Sequence, residues 1–433
     1  MDAASATHRP ASNGIFLVYI FLITLAFPTD AAFYIGSIKL PPYRAFLIVA
    51  LLFCFFKVVS SPKFRINIPD VFMLLFVIWS VLSLINAHGV NEIWQYCALL
   101  IVETVSPYFI ARCYITSSYE FVKFAKVHFL IVLFIIPFAI VETLTGNYIL
   151  KAFGETIFGG HASVVISTQR LGLSRALGPF EHPIHYGIFC AAILGILLTM
   201  GKTISARIFQ MGTIFVSTFC SLSTGPLVVF LVQTLLLSWD KVTGTFRSKW
   251  KILIFIFAAL YLVIDIASNR TPFHVFVTYL TFRLASSYNR ILIWEIGSAS
   301  VWKHPLFGIG LGEWERPYWM GSSIDNFWLL IAIRYGLPAL IFLTAAMLVI
   351  SARLANLDLS ESDAKYRKGW FVSFTALVVA GATVHYWNAL YCLFMFFLGS
   401  SAWLFSSDNK KAQTPRRTEM GRRSIHRDGD AAS

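Results

Sequence analysis

The chain has 433 residues, of which 57% are hydrophobic and 13% are charged. Ordinary soluble domains carry about 25% charged residues, so this composition excludes a soluble protein and indicates a polytopic membrane protein. The formal net charge of +13 does not call for nucleic acid as a partner, because the Lys and Arg residues follow a membrane topology. The six cysteines lack metal-ligand spacing and mostly lie in apolar runs, which favours lipid-facing or packing positions over a disulfide framework.

Twelve apolar runs approach or reach the roughly 17–25 residues that a membrane-spanning helix needs. The predicted spans are 15–27, 43–56, 71–85, 93–111, 121–144, 184–200, 208–221, 226–239, 252–266, 324–350, 370–384 and 387–405. Residues 1–14 form a predicted cytoplasmic tail. The basic segment 407–433 is a second one, expected to be disordered and to touch membrane lipids. The sequence therefore predicts an all-α polytopic membrane protein with a single transmembrane domain over residues 15–406.

The first apolar run has a second interpretation as a secretory signal peptide. Arg9 precedes it, and Ala31 and Ala32 follow a break at Pro28. We expect the run to be retained as a helix, because the charge distribution along the rest of the chain then gives a consistent topology.

The distribution of Lys and Arg predicts the orientation of the spans. With both termini in the cytoplasm, 24 of the 35 Lys and Arg residues fall on the cytoplasmic side. Eight of the other eleven lie in two long outer loops, at about residues 145–183 and 268–323. Short loops obey the positive-inside rule throughout, so the basic residues of the two long loops are the ones for which we expect a function.

The second outer loop has the densest set of ionisable and aromatic residues. The pattern over residues 288–302 predicts a helix in which Arg290 precedes Trp294 by one turn, so that both face one cleft. Arg290 has an alternative role as an anchor that reaches the lipid headgroups. Asp325 and Asn326 stand at the entrance to the tenth span.

A glycine-rich run, Gly308-Ile309-Gly310-Leu311-Gly312, follows that predicted helix. It does not follow a strand and lies outside the cytoplasm, which argues against a dinucleotide-binding loop. We expect a turn whose glycines let the backbone approach the membrane surface or another helix.

Five short motifs occur in a fixed order along the chain. They are Arg175-Ala-Leu-Gly-Pro-Phe-Glu-His-Pro, Ser221-Leu-Ser-Thr-Gly, Asn289-Arg290 with Trp294, His304-Pro-Leu-Phe-Gly-Ile-Gly-Leu-Gly, and Asp325-Asn326 with Gly336-Leu. Together, over about residues 168–340, they resemble the bacterial O-antigen ligase and polymerase (Wzy-type) superfamily. The resemblance implies a GT-C-like membrane fold in the bacterial inner membrane, with the active site on its outer face.

The same resemblance implies transfer of a glycan from a polyprenyl diphosphate carrier to an acceptor hydroxyl, with no metal, cofactor or nucleotide sugar. A flippase and a chain-length regulator are candidate partner proteins. Guanidinium groups suit the leaving diphosphate because they bind it through paired hydrogen bonds and remain charged. The acceptor hydroxyl needs a carboxylate or a histidine as base.

On this basis the residues predicted to act in catalysis are Arg175, Arg290, His304 and Asp325. Those predicted to bind substrate are Arg170, Glu181, His182, His185, Arg283, Trp294, Glu313 and Asn326.

Several of these residues also have structural interpretations. Arg175 can form an ion pair with Glu181, and Asp325 can cap the tenth span. The aromatic residues can form an interfacial belt. Arg334 and Glu103 fall inside predicted spans, where a charged side chain either pairs with another or lines a cavity.

Two departures from the family pattern favour a polymerase over a ligase. Asp325 stands where ligase-like members carry histidine, and the turn Thr224-Gly225-Pro226 lacks their basic residue. A polymerase of O-antigen or exopolysaccharide repeats handles two lipid-linked chains, and each basic outer loop is predicted to face one diphosphate.

Two alternatives from other classes stay open. A transporter or flippase of lipid-linked glycan would place its ionisable residues near the bilayer midplane, on broken helices. A non-catalytic assembly subunit is the other alternative. An enzyme alone would release polyprenyl diphosphate from its substrate.

Overall fold

The computed structural model describes residues 14–35, 38–62, 64–158, 169–201, 203–268, 271–279 and 284–405. Within these ranges the chain is mostly helical, as predicted, with one short β-hairpin that the sequence did not predict. The elements are α1 (Ile15–Leu25), β1 (Phe33–Ile35), β2 (Ile38–Leu40), α2 (Pro42–Ser60), α3 (Ile68–His88), α4 (Val90–Tyr114), α5 (Ser118–Thr145), α6 (Ile149–Phe158), α7 (Pro183–Ala191), α8 (Leu194–Met200), α9 (Ile204–Cys220), α10 (Thr224–Val242), α11 (Lys249–Ala267), α12 (Pro272–Tyr279), α13 (Leu284–Lys303), α14 (Phe327–Ala355), α15 (Glu361–Ala380) and α16 (Asn388–Gly399).

Nine helical segments of the described chain are long and apolar enough to cross a membrane, and each coincides with a predicted span. They are Pro42–Ser60, Ile68–His88, Val90–Tyr114, Ser118–Thr145, Pro183–Met200, Thr224–Val242, Lys249–Ala267, Phe327–Ala355 and Asn388–Phe405. The first and seventh predicted spans coincide with the shorter apolar helices α1 and α9. The eleventh coincides with α15, which has acidic residues in its first turn. A membrane protein is therefore supported, and the count of twelve spans stays a prediction.

The centre of the bundle is α16, in which every residue from Ala389 to Gly399 is buried. It packs most extensively on α4. Gly399 permits this packing, because a β-carbon there would lie 2.4 Å from the carbonyl oxygen of Tyr108. At the opposite extreme, α11 buries none of its residues although it is strongly apolar. The six cysteines are all free and buried, so they are packing residues.

Helix α14 is interrupted at Gly336, whose φ of 80° and ψ of 172° are not helical. The carbonyls of Ile333 and Arg334 lose their usual i+4 donors, because the amide of Leu337 donates to the carbonyl of Pro305 at 2.7 Å and Pro338 has no amide hydrogen. Two amides of the glycine-rich run replace them: Ile309 donates to the carbonyl of Ile333, and Gly310 donates to the carbonyl of Arg334, both at 2.9 Å. A broken helix inside a membrane protein is tolerated when other backbone satisfies its free polar groups, as happens here.

The glycine-rich run fits against the break because its backbone has no side chains at the points of contact. Gly308 and Gly310 both have a φ of 62°. A β-carbon on Gly308 would lie 2.4 Å from the carbonyl oxygen of Ile333, and one on Gly336 would lie 1.9 Å from that of Leu306. The prediction that these glycines bring the backbone close to another helix is confirmed.

Helix α3 closes the other side of this junction. The indole of Trp79 donates to the carbonyl of Leu306 at 3.1 Å and stacks on Phe307 with ring centroids 5.1 Å apart. The Ser83 hydroxyl contacts the carbonyls of both Phe307 and Arg334. The segment that follows α13 is therefore locked between α3 and α14, and it fixes the backbone of Arg334.

Candidate functional site

A cavity of about 580 Å³ lies between β2, α2, α3, α4, α14 and the start of α16. Three of its lining residues are cations, contributed by β2, α2 and α14: Lys39, Arg44 and Arg334. Among the described residues that line it, Glu103 is the one carboxylate. Of the two alternatives for Arg334 and Glu103, the structure therefore supports the cavity lining for both. Lys39 and Arg44 belong to the end of the bundle that the charge distribution predicts to be non-cytoplasmic, whereas Glu103 lies in the middle of α4.

Arg44 is held in place by three elements. Its Nε donates to Oε1 of Glu103 at 2.7 Å, and the Tyr43 hydroxyl donates to the same oxygen at 2.9 Å. Its two terminal nitrogens donate at 3.0 Å to the carbonyl of Lys39 and to Oδ1 of Asn388. Glu103 is therefore also paired, with Arg44. This pairing is expected, because a charged side chain inside an apolar helix needs a partner.

Asn388 connects this network to the first outer loop. Its Nδ2 donates to Oε2 of Glu181 at 2.6 Å, and the other carboxylate oxygen of Glu181 lies 3.9 Å from Nζ of Lys39. Asn388 has a φ of 52°, a left-handed conformation that asparagine tolerates better than most residues. Glu181, which the sequence predicted to bind substrate, therefore lies behind the cavity and orients two residues that line it.

Three histidines surround Trp387, which also lines the cavity. The ring centroids of His185, His385 and His182 lie 3.7, 5.0 and 5.8 Å from that of Trp387. His185 is buried, and its Nε2 is 3.1 Å from the carbonyl oxygen of His385. The two histidines predicted to bind substrate therefore support Trp387, and His385 is the one histidine of the three that lines the cavity.

Burial and nearby cations keep these imidazoles neutral. Burial lowers the pKa of His385 to about 3, with a further contribution from Arg334. Burial also lowers the pKa of His182 to about 4, with contributions from Arg175 and then Arg170. His182 caps α7, where its Nδ1 accepts a hydrogen bond from the amide of Ile184 at 3.2 Å.

The two arginines of the first outer loop hold the turn between α9 and α10. Arg175 is buried, and its guanidinium donates to the carbonyl of Ser221 at 3.3 Å and to the hydroxyl of Ser223 at 2.5 Å. Arg170 donates to the carbonyl of Leu222 at 2.9 Å. Neither arginine lines the cavity, although both are close enough to His182 to lower its pKa.

Arg290 lies on α13, which packs on α14, and Asp325 lies two residues before α14. Burial lowers the pKa of the Arg290 guanidinium, and the Asp325 carboxylate raises it. The Nε of Arg290 is buried and has no hydrogen-bond partner among the described residues. Asp325 accepts from the hydroxyl of Ser323 at 2.8 Å. Asp325 therefore influences the charge of Arg290, and neither residue lines the cavity.

The alternative role of Asp325 as a helix cap is wrong. Helix α14 begins at Phe327, three residues later than predicted, and Asn326 is the capping residue. The side-chain oxygen of Asn326 accepts from the amide of Leu329 at 3.0 Å. Asparagine at this position satisfies an amide that the first helical turn leaves free, so Asn326, predicted to bind substrate, has a structural function here.

Of the remaining predicted residues, Trp294 lies one helical turn after Arg290 on α13, and His304 lies far from it. His304 is exposed and directly follows α13. Fourteen positions separate it from Arg290, which corresponds to about 21 Å along a helix axis, so the two cannot act on one atom. Trp294 is exposed on α13, and Glu313 forms an ion pair with Arg316. Arg283 lies outside the described residues.

A second cavity of about 290 Å³ adjoins the first. Four residues line both cavities, and two of these are polar: Arg334 and His385. Glu313, Ser322 and Ser323 line only the smaller one. Arg334 and His385 therefore stand at the boundary between the two spaces.

Sequence reasoning missed several residues that line the larger cavity, namely Lys39, Arg44, His385, Trp387 and Asn388. The first two were counted only as outer-side charges, and the other three flank the last span. These residues lie at or near the beginning of apolar runs, and this position was the one indication in the sequence. It was not sufficient, because ordinary interfacial residues occupy the same positions.

The described residues contain no group of three or more His, Cys, Asp or Glu side chains placed to hold a metal ion. Comparison with known protein families found no family that matches the chain, and no curated protein matches it.

Proposed function

We propose that the chain is a membrane glycosyltransferase that polymerises glycan repeats at the outer face of a bacterial inner membrane. In this proposal it belongs with the O-antigen ligase and polymerase superfamily and has a GT-C-like fold. Its donor is a glycan on polyprenyl diphosphate, and its acceptor is a hydroxyl of another lipid-linked repeat. The convergence of Lys39, Arg44 and Arg334 on one cavity is the observation that supports this most directly.

The charge of the larger cavity suits a diphosphate. Glu103 offsets Arg44, and Glu181 lies 3.9 Å from Lys39 behind the cavity, so Arg334 contributes most of the excess positive charge of the described lining. Charge interactions in a partly enclosed space are stronger than in bulk water. The volume of about 580 Å³ also falls in the range of roughly 300–1,000 Å³ that is usual for small-molecule sites.

The reaction would proceed as a single displacement at the sugar. The acceptor oxygen forms a bond to the anomeric carbon while the bond from that carbon to the diphosphate oxygen breaks. The electron pair of the broken bond stays on the diphosphate, where Arg334 and Lys39 stabilise the charge. The proton of the acceptor hydroxyl passes to a ring nitrogen of His385 and then to solvent.

His385 suits this task because it is neutral before the donor binds. Part of the decrease in its pKa to about 3 comes from Arg334. A diphosphate beside Arg334 would offset that positive charge and raise the pKa of the imidazole. Donor binding would therefore turn His385 from a very weak base into a stronger one at the moment when a base is needed.

The choice of a polymerase over a ligase rests on the sequence, where Asp325 and the turn Thr224-Gly225-Pro226 depart from the ligase pattern. A transporter of lipid-linked glycan is a second candidate. One observation favours it: α14 is broken at Gly336, and Arg334 stands beside the break, an arrangement that is typical of transporter binding sites.

Release of polyprenyl diphosphate separates the two candidates. The full chain is reconstituted in liposomes with a polyprenyl-diphosphate-linked oligosaccharide, and the products are identified by mass spectrometry. We expect free polyprenyl diphosphate and a lengthened glycan from the unaltered protein, and both to form roughly 10²–10³ times more slowly with Arg334→Ala. Lys303→Ala is the matched control. Lys303 is an exposed cation at the end of α13, and it lines neither cavity. Movement of intact substrate across the bilayer without release would support the transporter.

A further inference from the structure

We propose that the smaller cavity is the acceptor site, and that it binds the uncharged, hydroxyl-bearing end of a glycan. This inference rests on the proposed function, since it divides the donor and the acceptor of that reaction between the two cavities. It also changes the expectation from sequence, in which each basic outer loop faced one diphosphate.

The position of the smaller cavity suits an attacking group. It shares Arg334 and His385 with the larger cavity, so a molecule in one space contacts the same two side chains as a molecule in the other. A donor diphosphate bound to Arg334 and an acceptor hydroxyl beside His385 would then be next to each other. The hydroxyl oxygen could reach the anomeric carbon without either substrate leaving its cavity.

The two cavities differ in charge. Lys39 and Arg44 line the larger cavity alone, whereas Glu313 lines the smaller one alone. Among the described residues, Arg334 is the one Lys or Arg that lines the smaller cavity. The Glu313 carboxylate is already paired with Arg316, so a second diphosphate there would depend on Arg334, the cation that the donor also uses, which is unfavourable.

Hydroxyl groups, by contrast, match the lining of the smaller cavity. Ser322 can donate and accept hydrogen bonds. Ser323, whose hydroxyl donates to Asp325, can still accept them, and so can the oxygen of Glu313 that is not paired with Arg316. In a lipid-linked repeat the attacking hydroxyl belongs to a sugar, and the diphosphate is attached at the other end of the oligosaccharide. The acceptor can therefore place its hydroxyl end in the smaller cavity while its own diphosphate stays outside.

The wall of the smaller cavity is preformed. The indole of Trp314 donates to the carbonyl of Ser322 at 3.0 Å, and Nε of Arg316 donates to the carbonyl of Met320 at 3.1 Å. The chain just before this wall is bound to α14 through the hydrogen bond from Gly310 to Arg334. The wall and the shared arginine thus belong to one hydrogen-bonded unit, which would fix the acceptor relative to the donor.

The reaction balances without a further reactant. The acceptor hydroxyl loses its proton to His385, and its oxygen forms the new glycosidic bond. The donor loses its bond between the anomeric carbon and the diphosphate oxygen, and polyprenyl diphosphate leaves with the electron pair. The proton then passes to solvent.

The test uses the full chain in liposomes and two probes prepared from cells that lack the protein. The donor probe is their accumulated single repeat on polyprenyl diphosphate. The acceptor probe is the same oligosaccharide freed from its carrier by mild acid, so that it carries no diphosphate. The measured quantities are the KM for each probe, and the rate at which polyprenyl diphosphate is released when no free oligosaccharide is added.

We expect the unaltered protein to extend the free oligosaccharide. Ser322→Trp fills the smaller cavity and should raise the KM for the free oligosaccharide at least about tenfold, with the KM for the donor changed less than about twofold. Glu313→Gln should raise the acceptor KM severalfold, since the amide is a weaker acceptor of hydrogen bonds. Gly321→Trp is the matched control and should change neither KM, because a β-carbon there meets open space, so the side chain begins in open space, and residue 321 lines neither cavity.

Three outcomes would overturn the inference in distinguishable ways. If the unaltered protein extends lipid-linked repeats and never the free oligosaccharide, the acceptor needs its diphosphate and the proposed acceptor site is wrong. If Ser322→Trp raises the donor KM and leaves the acceptor KM unchanged, the two cavities have been assigned in the wrong order. If the unaltered protein releases no polyprenyl diphosphate under any condition, the proposed function fails together with this inference.

Discussion

The amide of Gly310 donates a 2.9 Å hydrogen bond to the carbonyl of Arg334. This bond joins the glycine-rich run to the residue that stands between the two cavities. Gly310 has a φ of 62°, and a β-carbon there would lie 2.5 Å from Nε2 of His88, which itself accepts from the amide of Leu311. The position of Arg334 therefore depends on a residue without a side chain at position 310.

Gly310→Ala should displace this junction. The left-handed conformation alone costs about 1–2 kcal/mol for a residue other than glycine, and the contact with His88 adds to that. We expect a lower unfolding temperature and a fall of roughly 10-fold to 100-fold in polyprenyl diphosphate release, as expected when a charged group moves by about 1 Å. Gly321→Ala is the control, since a β-carbon at Gly321 meets open space. Equal stability and equal activity in the two variants would contradict the positioning role of Gly310.

Arg334→Ala should abolish most transfer while the protein still folds, because only the backbone of Arg334 takes part in the junction with Gly310 and Ser83. If Arg334 stabilises the leaving diphosphate as an oxyanion-hole donor does, the loss is about 2.7–4 kcal/mol, or roughly 10²–10³ in rate. Arg334→Lys should recover part of it, since lysine keeps the charge and loses the paired hydrogen bonds. Full activity in the alanine variant would exclude Arg334 from the reaction.

Arg175→Ala should act on stability more than on the reaction itself. Arg175 is buried and binds the backbone and side chain of the turn at Ser221 and Ser223. A hydrogen bond to a charged group contributes about 1.5–3 kcal/mol, so we expect a clearly lower unfolding temperature. Per folded molecule, the rate of polyprenyl diphosphate release should fall much less than in Arg334→Ala. If Arg175→Ala had normal stability and a reaction defect as large as that of Arg334→Ala, the result would support a catalytic role for Arg175.

The pH dependence of stability should contain a contribution from His182. Its pKa of about 4 in the folded protein lies below the ordinary value of about 6.5, so the unfolded chain binds the proton first as the pH falls. The stabilising effect is complete above about pH 6.5 and is lost as the pH falls toward 4. His182→Asn keeps a side chain that can cap α7 and removes the titration. The unfolding temperature of this variant should therefore fall less steeply over that pH range, and identical slopes for both proteins would contradict the assignment.

The orientation of the bundle can be tested with reporter fusions. Because 24 of the 35 Lys and Arg residues lie on the predicted cytoplasmic side, fusions after Lys249 and Arg367 should report the cytoplasm. A fusion after Glu313 should report the outer side. A cytoplasmic signal at Glu313 would place both cavities on the wrong side for a flipped lipid-linked substrate.

The spans were predictable because apolar length is a local property of the sequence, and nine of the predicted runs coincide with long apolar helices. The conformation of the glycine-rich run was predictable for the same reason, since glycines at Gly308 and Gly310 permit close contact wherever the partner is. The segment that the glycine-rich run contacts, the break in α14 at Gly336, could not be inferred. No local feature of the sequence indicates that the amide of residue 310 binds the carbonyl of residue 334.

The lining of the larger cavity was the least predictable part. Arg44 and Asn388 are 344 positions apart and meet only through the packing of α2, α4 and α16. Arg175 carries the opposite lesson. Its motif predicted a catalytic role, whereas the structure shows a buried arginine that binds the turn at Ser221 and Ser223. The sequence alone does not distinguish an arginine that binds a substrate from one that binds a turn.

The hydrogen bond between Arg44 and Asn388 also bears on how the protein is made. Arg44 is synthesised early, and its orienting partner Asn388 follows 344 residues later. While the chain is still being inserted, the ribosome holds a bundle in which Arg44 lacks Asn388 and the cavity lacks His385 and Trp387. A chain truncated before His385 would therefore lack one side of the larger cavity, although most of its long apolar helices precede that point.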